Sequence, residues 1–168
     1  DMALIAVLQL GMLGFGLWQL AQARPVVLGF EGDRVRLVQA GDLGTGQLDQ
    51  APPGLGQLGY SGPRWLGVQL LANTDPQYAK SVQQAMLGLH PVLRPERWRP
   101  YASQQAQVQQ ALQPLAALRA LHPGAGATID QAIAASGAAE AELGFVPLMH
   151  GDDSDWVVLL RRSDATPL

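Results

Sequence analysis

Residues 2–21, MALIAVLQLGMLGFGLWQLA, run for twenty positions without an ionisable side chain. Fifteen are apolar, three are glycine and two are glutamine. Twenty helical residues reach about 30 Å, the thickness of a bilayer hydrocarbon core, so the run predicts a membrane-spanning helix. A signal peptide would carry a basic start, an apolar stretch of about 7–15 residues and an Ala-x-Ala-like end. Here the run follows Asp1, is longer, and leads into Gln22-Ala23-Arg24-Pro25. Trp18 suits the membrane interface, Arg24 stands just outside, and Pro25 ends the helical run. Inside the span, the Gln9 amide is costly in hydrocarbon unless it finds a partner. Gly11, Gly14 and Gly16 thin the helix so that another can approach closely. Gln9 with these three glycines is the expected helix-pairing surface, whereas Gln19 lies near the helix end. No basic residue precedes the span, so the positive-inside rule does not orient it. The chain starts at Asp1 without an initiator methionine, and upstream segments are expected.

The remaining residues, 22–168, suffice for one compact domain. Their charge is uneven: residues 22–101 hold eight basic and six acidic groups, and 102–168 hold three basic and seven acidic. This is read as a solvated surface with uneven loops. A net charge of −3 excludes a strongly basic nucleic-acid binder. The absence of cysteine fits an oxidising or a reducing compartment equally.

Residues 26–30 and 34–38 are short β-type runs around Glu31-Gly32-Asp33, expected as a hairpin or one bulged strand. Alternation in the second puts Val35 and Leu37 on one face and Arg34 and Arg36 on a wet one. Residues 41–62 are rich in glycine and proline and predict a loop, yet Leu48, Leu55, Leu58 and Tyr60 call for burial. A strand is expected over 64–71. Thr74-Asp75-Pro76 then suggests a cap and first-turn proline for a helix with Tyr78, Val82, Ala85, Met86 and Leu89 on one face. A glutamine-alanine helix over about 102–120 is broken or kinked at Pro114. Another, about 128–136, is closed by Gly137. Residues 145–149 and 156–160 are the last two strands. The expected fold class is α+β, with about five strands and three to four helices.

Chemistry-bearing patterns are sparse. His150 with Asp152, Asp153 and Asp155 offers hard ligands, but without EF-hand spacing and at a hairpin turn, where loop chemistry accounts for them. His90 and His122 each precede proline at a helix end and face no nucleophile motif. Gly41, Gly44 and Gly46 are not followed by a Lys-Ser/Thr pair, and no dinucleotide fingerprint is present. The sequence therefore assigns no catalytic residue, metal or cofactor. Arg94, Arg97, Trp98, Arg99 and Tyr101, in a stretch with Pro95 and Pro100, form the candidate partner surface on an ordered surface crossing.

Asp1-Met2-Ala3-Leu4-Ile5-Ala6-Val7-Leu8-Gln9-Leu10, Gly16-Leu17-Trp18, Ala23-Arg24-Pro25-Val26 and Asp33-Arg34 together resemble the last membrane helix and exit strand of the TfpX/TfpZ family of type IV pilin accessory proteins. Gly62-Pro63-Arg64 is similar to a strand start of that family, and Arg99-Pro100-Tyr101 to the end of its proline-tyrosine segment. Phe145-Val146-Pro147-Leu148 with Asp155-Trp156-Val157-Val158-Leu159-Leu160 resembles its final hairpin. The resemblance implies a Gram-negative inner-membrane protein whose span is the last of several, with a periplasmic domain from Arg24. It implies the major type IV pilin, other membrane helices and lipid as partners, and support of pilin stability, assembly or pilus dynamics without catalysis. The family's final loop is basic whereas this one is acidic, so an acidic partner there is not carried over. A membrane-anchored sensor or ligand-binding module is the alternative, and a metal-dependent hydrolase a more distant one.

Overall fold

A computed structural model describes residues 2–151 and 153–168. Helix α1, Met2–Gln22, is continuous and buries none of its residues. Its 21 residues span about 32 Å. Ala23 N–H still donates to the Gln19 carbonyl at 3.0 Å, and the chain then turns into strand β1, Pro25–Phe30.

Strand β2, Val35–Gln39, pairs antiparallel with β1, making a true hairpin whose turn includes Gly32 at φ +86°. Strand β3, Arg64–Val68, lies parallel to β1 with Val27 opposite Arg64. Strand β2 has already returned the chain to the end where β1 begins, so the glycine-proline segment only steps past β1 at that end, with two 3₁₀ turns, Ala40–Asp42 and Gln47–Gln50. Helix α2, Tyr78–Met86, leads towards strand β4, Trp98–Pro100, on the outer edge of β3.

The expected 102–120 helix is broken rather than kinked. It becomes α3, Gln105–Ala111, then strand β5, Gln113–Pro114, then α4, Leu115–Leu121. Proline cannot continue the helical ladder, and here it turns the chain onto a sheet edge. Helix α5, Gly126–Ser136, ends at Gly137 in the left-handed conformation, φ +67°, as the sequence predicts. Strands β6, Leu143–His150, and β7, Asp153–Arg161, form the closing hairpin.

The fold is α+β, with a seven-stranded mixed sheet in the order β4-β3-β1-β2-β6. Strand β7 pairs along one side of β6. The other side is shared: β2 pairs with Leu148 and Met149, and β5 with Gly144 and Phe145. Pro147, which has no N–H to give a ladder, falls between those two partners. Two strands exceed expectation, both short and proline-bearing.

The registers sort the core into two faces. Phe30 pairs with Val35, and Val35 with Leu148, so all three lie on one face, covered by Val108 and Ala111 of α3. Val27 and Val38 occupy the other, under Leu55, Val92 and Trp98, with Leu48 and Leu58 packed alongside. Further along that second face, α4 and α5 cover Leu143 and Phe145 with Leu115, Leu118 and Ile129. Leu48, Leu55 and Leu58 thus find the burial expected of them, while Tyr60 is 90% exposed. Gly29 carries no side chain because a Cβ there would overlap Val92.

Arg36 does not face water. It is buried, with Nε 3.1 Å from Glu31 Oε2, and its Nη1 donates to the Gly151 carbonyl at 2.6 Å. Glu31 Oε1 accepts the Val92 N–H at 2.8 Å. One ion pair therefore joins the β1–β2 turn, the 3₁₀ turn Pro91–Leu93 and the β6–β7 turn.

Helix α2 also departs from expectation. It begins two residues after Pro76, and Asp75 makes the entry: Oδ1 accepts the Gln77 N–H at 2.7 Å and its carbonyl accepts the Tyr78 N–H at 2.9 Å. The apolar stripe is present but uncovered, with Met86 83% exposed and Tyr78, Val82 and Leu89 also exposed.

Candidate functional site

Helix α1 is the first candidate surface. At about 100° per residue, Gln9 and Gly16 share one face, while Gly11 and Gly14 lie on roughly the opposite one. The four proposed pairing residues thus form two narrow seams rather than one. Among the described residues, nothing beyond the adjoining turns of α1 itself comes within 4 Å of a Cβ built at Gly11, Gly14 or Gly16, so both seams are open to a neighbour. Phe15 and Trp18 lie about one turn apart on α1, their rings tilted by 34° with centroids 5.9 Å apart.

The arginine-aromatic stretch is mostly structural. Trp98 is fully buried, its Nε1 donating to the Val92 carbonyl at 2.7 Å, so it is no part of an exposed partner surface. Its neighbours Arg97 and Arg99 disguise a core tryptophan, because β4 sends alternate side chains to opposite sides. Arg97 Nη1 donates to Ser81 Oγ at 2.9 Å and ties the stretch to α2. Burial, and then the adjacent Arg94 charge, lowers the Arg97 pKa. Arg94 bonds the Gln84 amide, and Arg99 bonds Gln69 and the Trp98 carbonyl.

Tyr101 is half-buried against the edge of Trp65, centroids 5.4 Å apart, and its hydroxyl donates to the Ala165 carbonyl at 2.6 Å. Burial, with the Asp164 charge second, pushes its pKa up to about 12. A phenol whose pKa is raised on folding stabilises the protein below the unfolded value, about 10, and that contribution is lost as pH rises towards 12. Denaturation midpoints should therefore fall between pH 10 and 12 in the native chain. In Tyr101→Phe this part of the decline should be absent and the midpoint slightly lower at neutral pH, since about 1 kcal/mol of hydrogen bonding is gone.

The histidine-aspartate loop is only partly visible: Asp152 lies outside the described residues. His150 pairs with Asp153 across the hairpin, and Gly151 makes the turn at φ +60°. Among the described residues, no three histidine, aspartate, glutamate or cysteine side chains gather as a metal site.

A groove that the sequence does not announce lies between α4, α5 and β7. It has a volume of about 410 Å³ and is lined by Leu118, His122, Ile129, Trp156, Val157 and Leu159. Trp156 is 66% exposed at its rim. The sequence places Trp156 in a strand but does not show that its side chain stays uncovered. Arg119 pins α4 beside α5 by reaching Asp130 at 2.6 Å and Glu140 at 3.2 Å. Three surfaces therefore stand out: the two α1 seams, the α2 stripe and the groove beside Trp156. Each presents apolar contact area with few polar groups, which suits protein or lipid contact better than bond-making chemistry.

No family model matches the chain, and no solved structure matches it. Two fimbrial assembly proteins of Dichelobacter nodosus, of serogroups E1 and I, are each 29% identical to it over 164 residues. That alignment takes in 97% of this chain, α1 and the sheet domain alike. The chain spans 63% of the length of these curated relatives, and it is to proteins named for fimbrial assembly that it is similar.

Proposed function

We propose that this chain is a membrane-anchored, non-catalytic accessory of type IV fimbrial biogenesis, which binds the major pilin and supports its stability or assembly. The observation that carries the reading is the continuous similarity to the fimbrial assembly proteins across both the fully exposed apolar helix and the domain. In this reading α1 crosses the inner membrane as the last of several helices, and residues 24–168 form a periplasmic domain.

Physical logic supports the two-part layout. A pilin subunit held in the membrane on an apolar helix presents two things to bind, the helix and its head. Gln9 and the glycine seams offer a packing surface to the helix. The groove beside Trp156 and the exposed α2 stripe offer apolar area to the head, with the half-buried Arg94 and Arg97 bonded to α2. Two weak contacts on one tether reinforce each other through effective concentration and still release one at a time.

Crosslinking in native membranes tests the partner. The chain should crosslink to the major pilin through α1, and Gln9→Leu should reduce that yield several-fold, since an interhelical amide contact is worth about 0.6–2 kcal/mol. Unchanged yield with Gln9→Leu would show that the Gln9 seam does not meet the pilin helix; no pilin adduct in the native chain would rule out pilin as the partner. The groove also supports a second reading, a membrane-anchored binding module for a small apolar ligand, in which a co-purifying molecule would occupy it.

A further inference from the structure

Tyr60 is the most exposed aromatic side chain of the domain, at 90%, and yet it is not isolated: the Arg24 guanidinium carbon sits 4.2 Å from its ring centroid. Arg24 is the first charged residue after α1, two positions beyond the helix. The sheet register explains the meeting. Strands β1 and β3 are parallel with Val27 opposite Arg64, so Arg24 lies three residues before the pair on one strand and Tyr60 four residues before it on the other. Both leave the sheet at the end where α1 enters. The 3₁₀ turn Ala40–Asp42 closes the same end, with Gly41 packed against Gln22.

We propose that Tyr60 is a second membrane contact, resting in the phospholipid headgroup layer beside the α1 exit and fixing the tilt of the domain on the bilayer. Tyrosine suits this layer because its ring is apolar and its hydroxyl polar. Arg24 under the ring holds it in place by a cation–π contact and supplies a cation at headgroup depth. Trp18 stands about 9 Å deeper along α1, at the hydrocarbon boundary, so Trp18, Arg24 and Tyr60 make an interfacial set graded in depth. Leu55 and Leu58 of the same loop are turned into the core, which anchors the loop from above and leaves Tyr60 as its outward side chain. Asp42, at the same end, is engaged by the Gln39 N–H at 2.8 Å. The occupant is therefore a phospholipid surface, chosen by continuity with the apolar helix. A domain so pinned would hold its groove and its α2 stripe at fixed heights above the membrane.

This inference rests on α1 spanning the bilayer, and the experiment separates the two. The chain has no cysteine, so single substitutions Leu13→Cys, Asp33→Cys and Tyr60→Cys each create one labelling site. Each full chain is labelled with a bimane fluorophore and reconstituted in phosphatidylethanolamine–phosphatidylglycerol nanodiscs. Lipids bearing a nitroxide on the headgroup or in the mid-chain then act as quenchers. Asp33, in the far turn of the β1–β2 hairpin, is the water-exposed reference. The expected result is loss of most emission at position 60 with headgroup nitroxide, loss at position 13 with mid-chain nitroxide, and none at position 33 with either. If position 13 is quenched but position 60 behaves like position 33, the Tyr60 contact is wrong while the span stands. If position 13 is not quenched, the span fails and the Tyr60 contact with it. Because Tyr60 is almost fully exposed, its substitution leaves the core untouched.

Discussion

Glu31→Leu is expected to destabilise the domain by about 3–5 kcal/mol, because it leaves the buried Arg36 charge without its counter-ion. Against a total stability of about 5–15 kcal/mol for a domain, that is a large share. Glu31 also accepts the Val92 N–H, so the same change orphans a buried donor. The double variant Glu31→Leu with Arg36→Met removes both charges and should recover much of the loss. Recovery should be incomplete, since the Gly151 carbonyl and the Val92 N–H both lose partners. Urea denaturation of the full chain, followed by tryptophan emission, measures both. A single variant as stable as the native chain would show that the pair is solvated and does not tie the three turns together.

Trp98→Ala should cost about 3–5 kcal/mol, the range for emptying a fully buried aromatic site. Trp98→Phe keeps most of the apolar volume but strands the Val92 carbonyl, so a smaller loss of about 1–3 kcal/mol is expected. The two predictions meet at Val92. Its N–H is held by Glu31 and its carbonyl by Trp98, and its side chain fills the space over Gly29. Losses from Glu31→Leu and Trp98→Phe should therefore be non-additive, with a coupling of about 0.5–3 kcal/mol in a double-mutant cycle. Were Trp98 instead a partner-contacting residue, Trp98→Ala would weaken crosslinking to pilin without moving the denaturation midpoint.

The parts of this architecture that sequence reveals are those fixed by local rules. Length and lack of charge define α1, Gly32 marks the first hairpin, Gly137 closes α5, and the apolar runs around residue 151 become β6 and β7. What escapes is set by distant residues. Strands β4 and β5 are three and two residues long and each contains a proline, so neither carries a strand pattern. Arg36 looks like a wet-face residue by alternation. It is buried because Glu31, in the adjacent turn, and a carbonyl 115 positions away meet it. Trp98 sits between two arginines in a proline-rich stretch, and only the packing of β1, β2 and residue 92 shows that it belongs inside. The α2 stripe illustrates the reverse limit. Periodicity defines an apolar face, but not whether anything in the same chain covers it. For Gln9 and the glycines the distinction was present in the spacing itself: seven residues join Gln9 to Gly16, and three join Gly11 to Gly14 on the other side.

If the anchored domain supports fimbrial assembly, its removal must show in the fimbriae. The direct measurement is surface fimbriation, with the cellular level of the major pilin, in bacteria producing this protein with residues 25–168 removed and α1 retained. A strong loss of surface fimbriae or of pilin is expected, restored by the full chain. Unchanged fimbriae and unchanged pilin would contradict it.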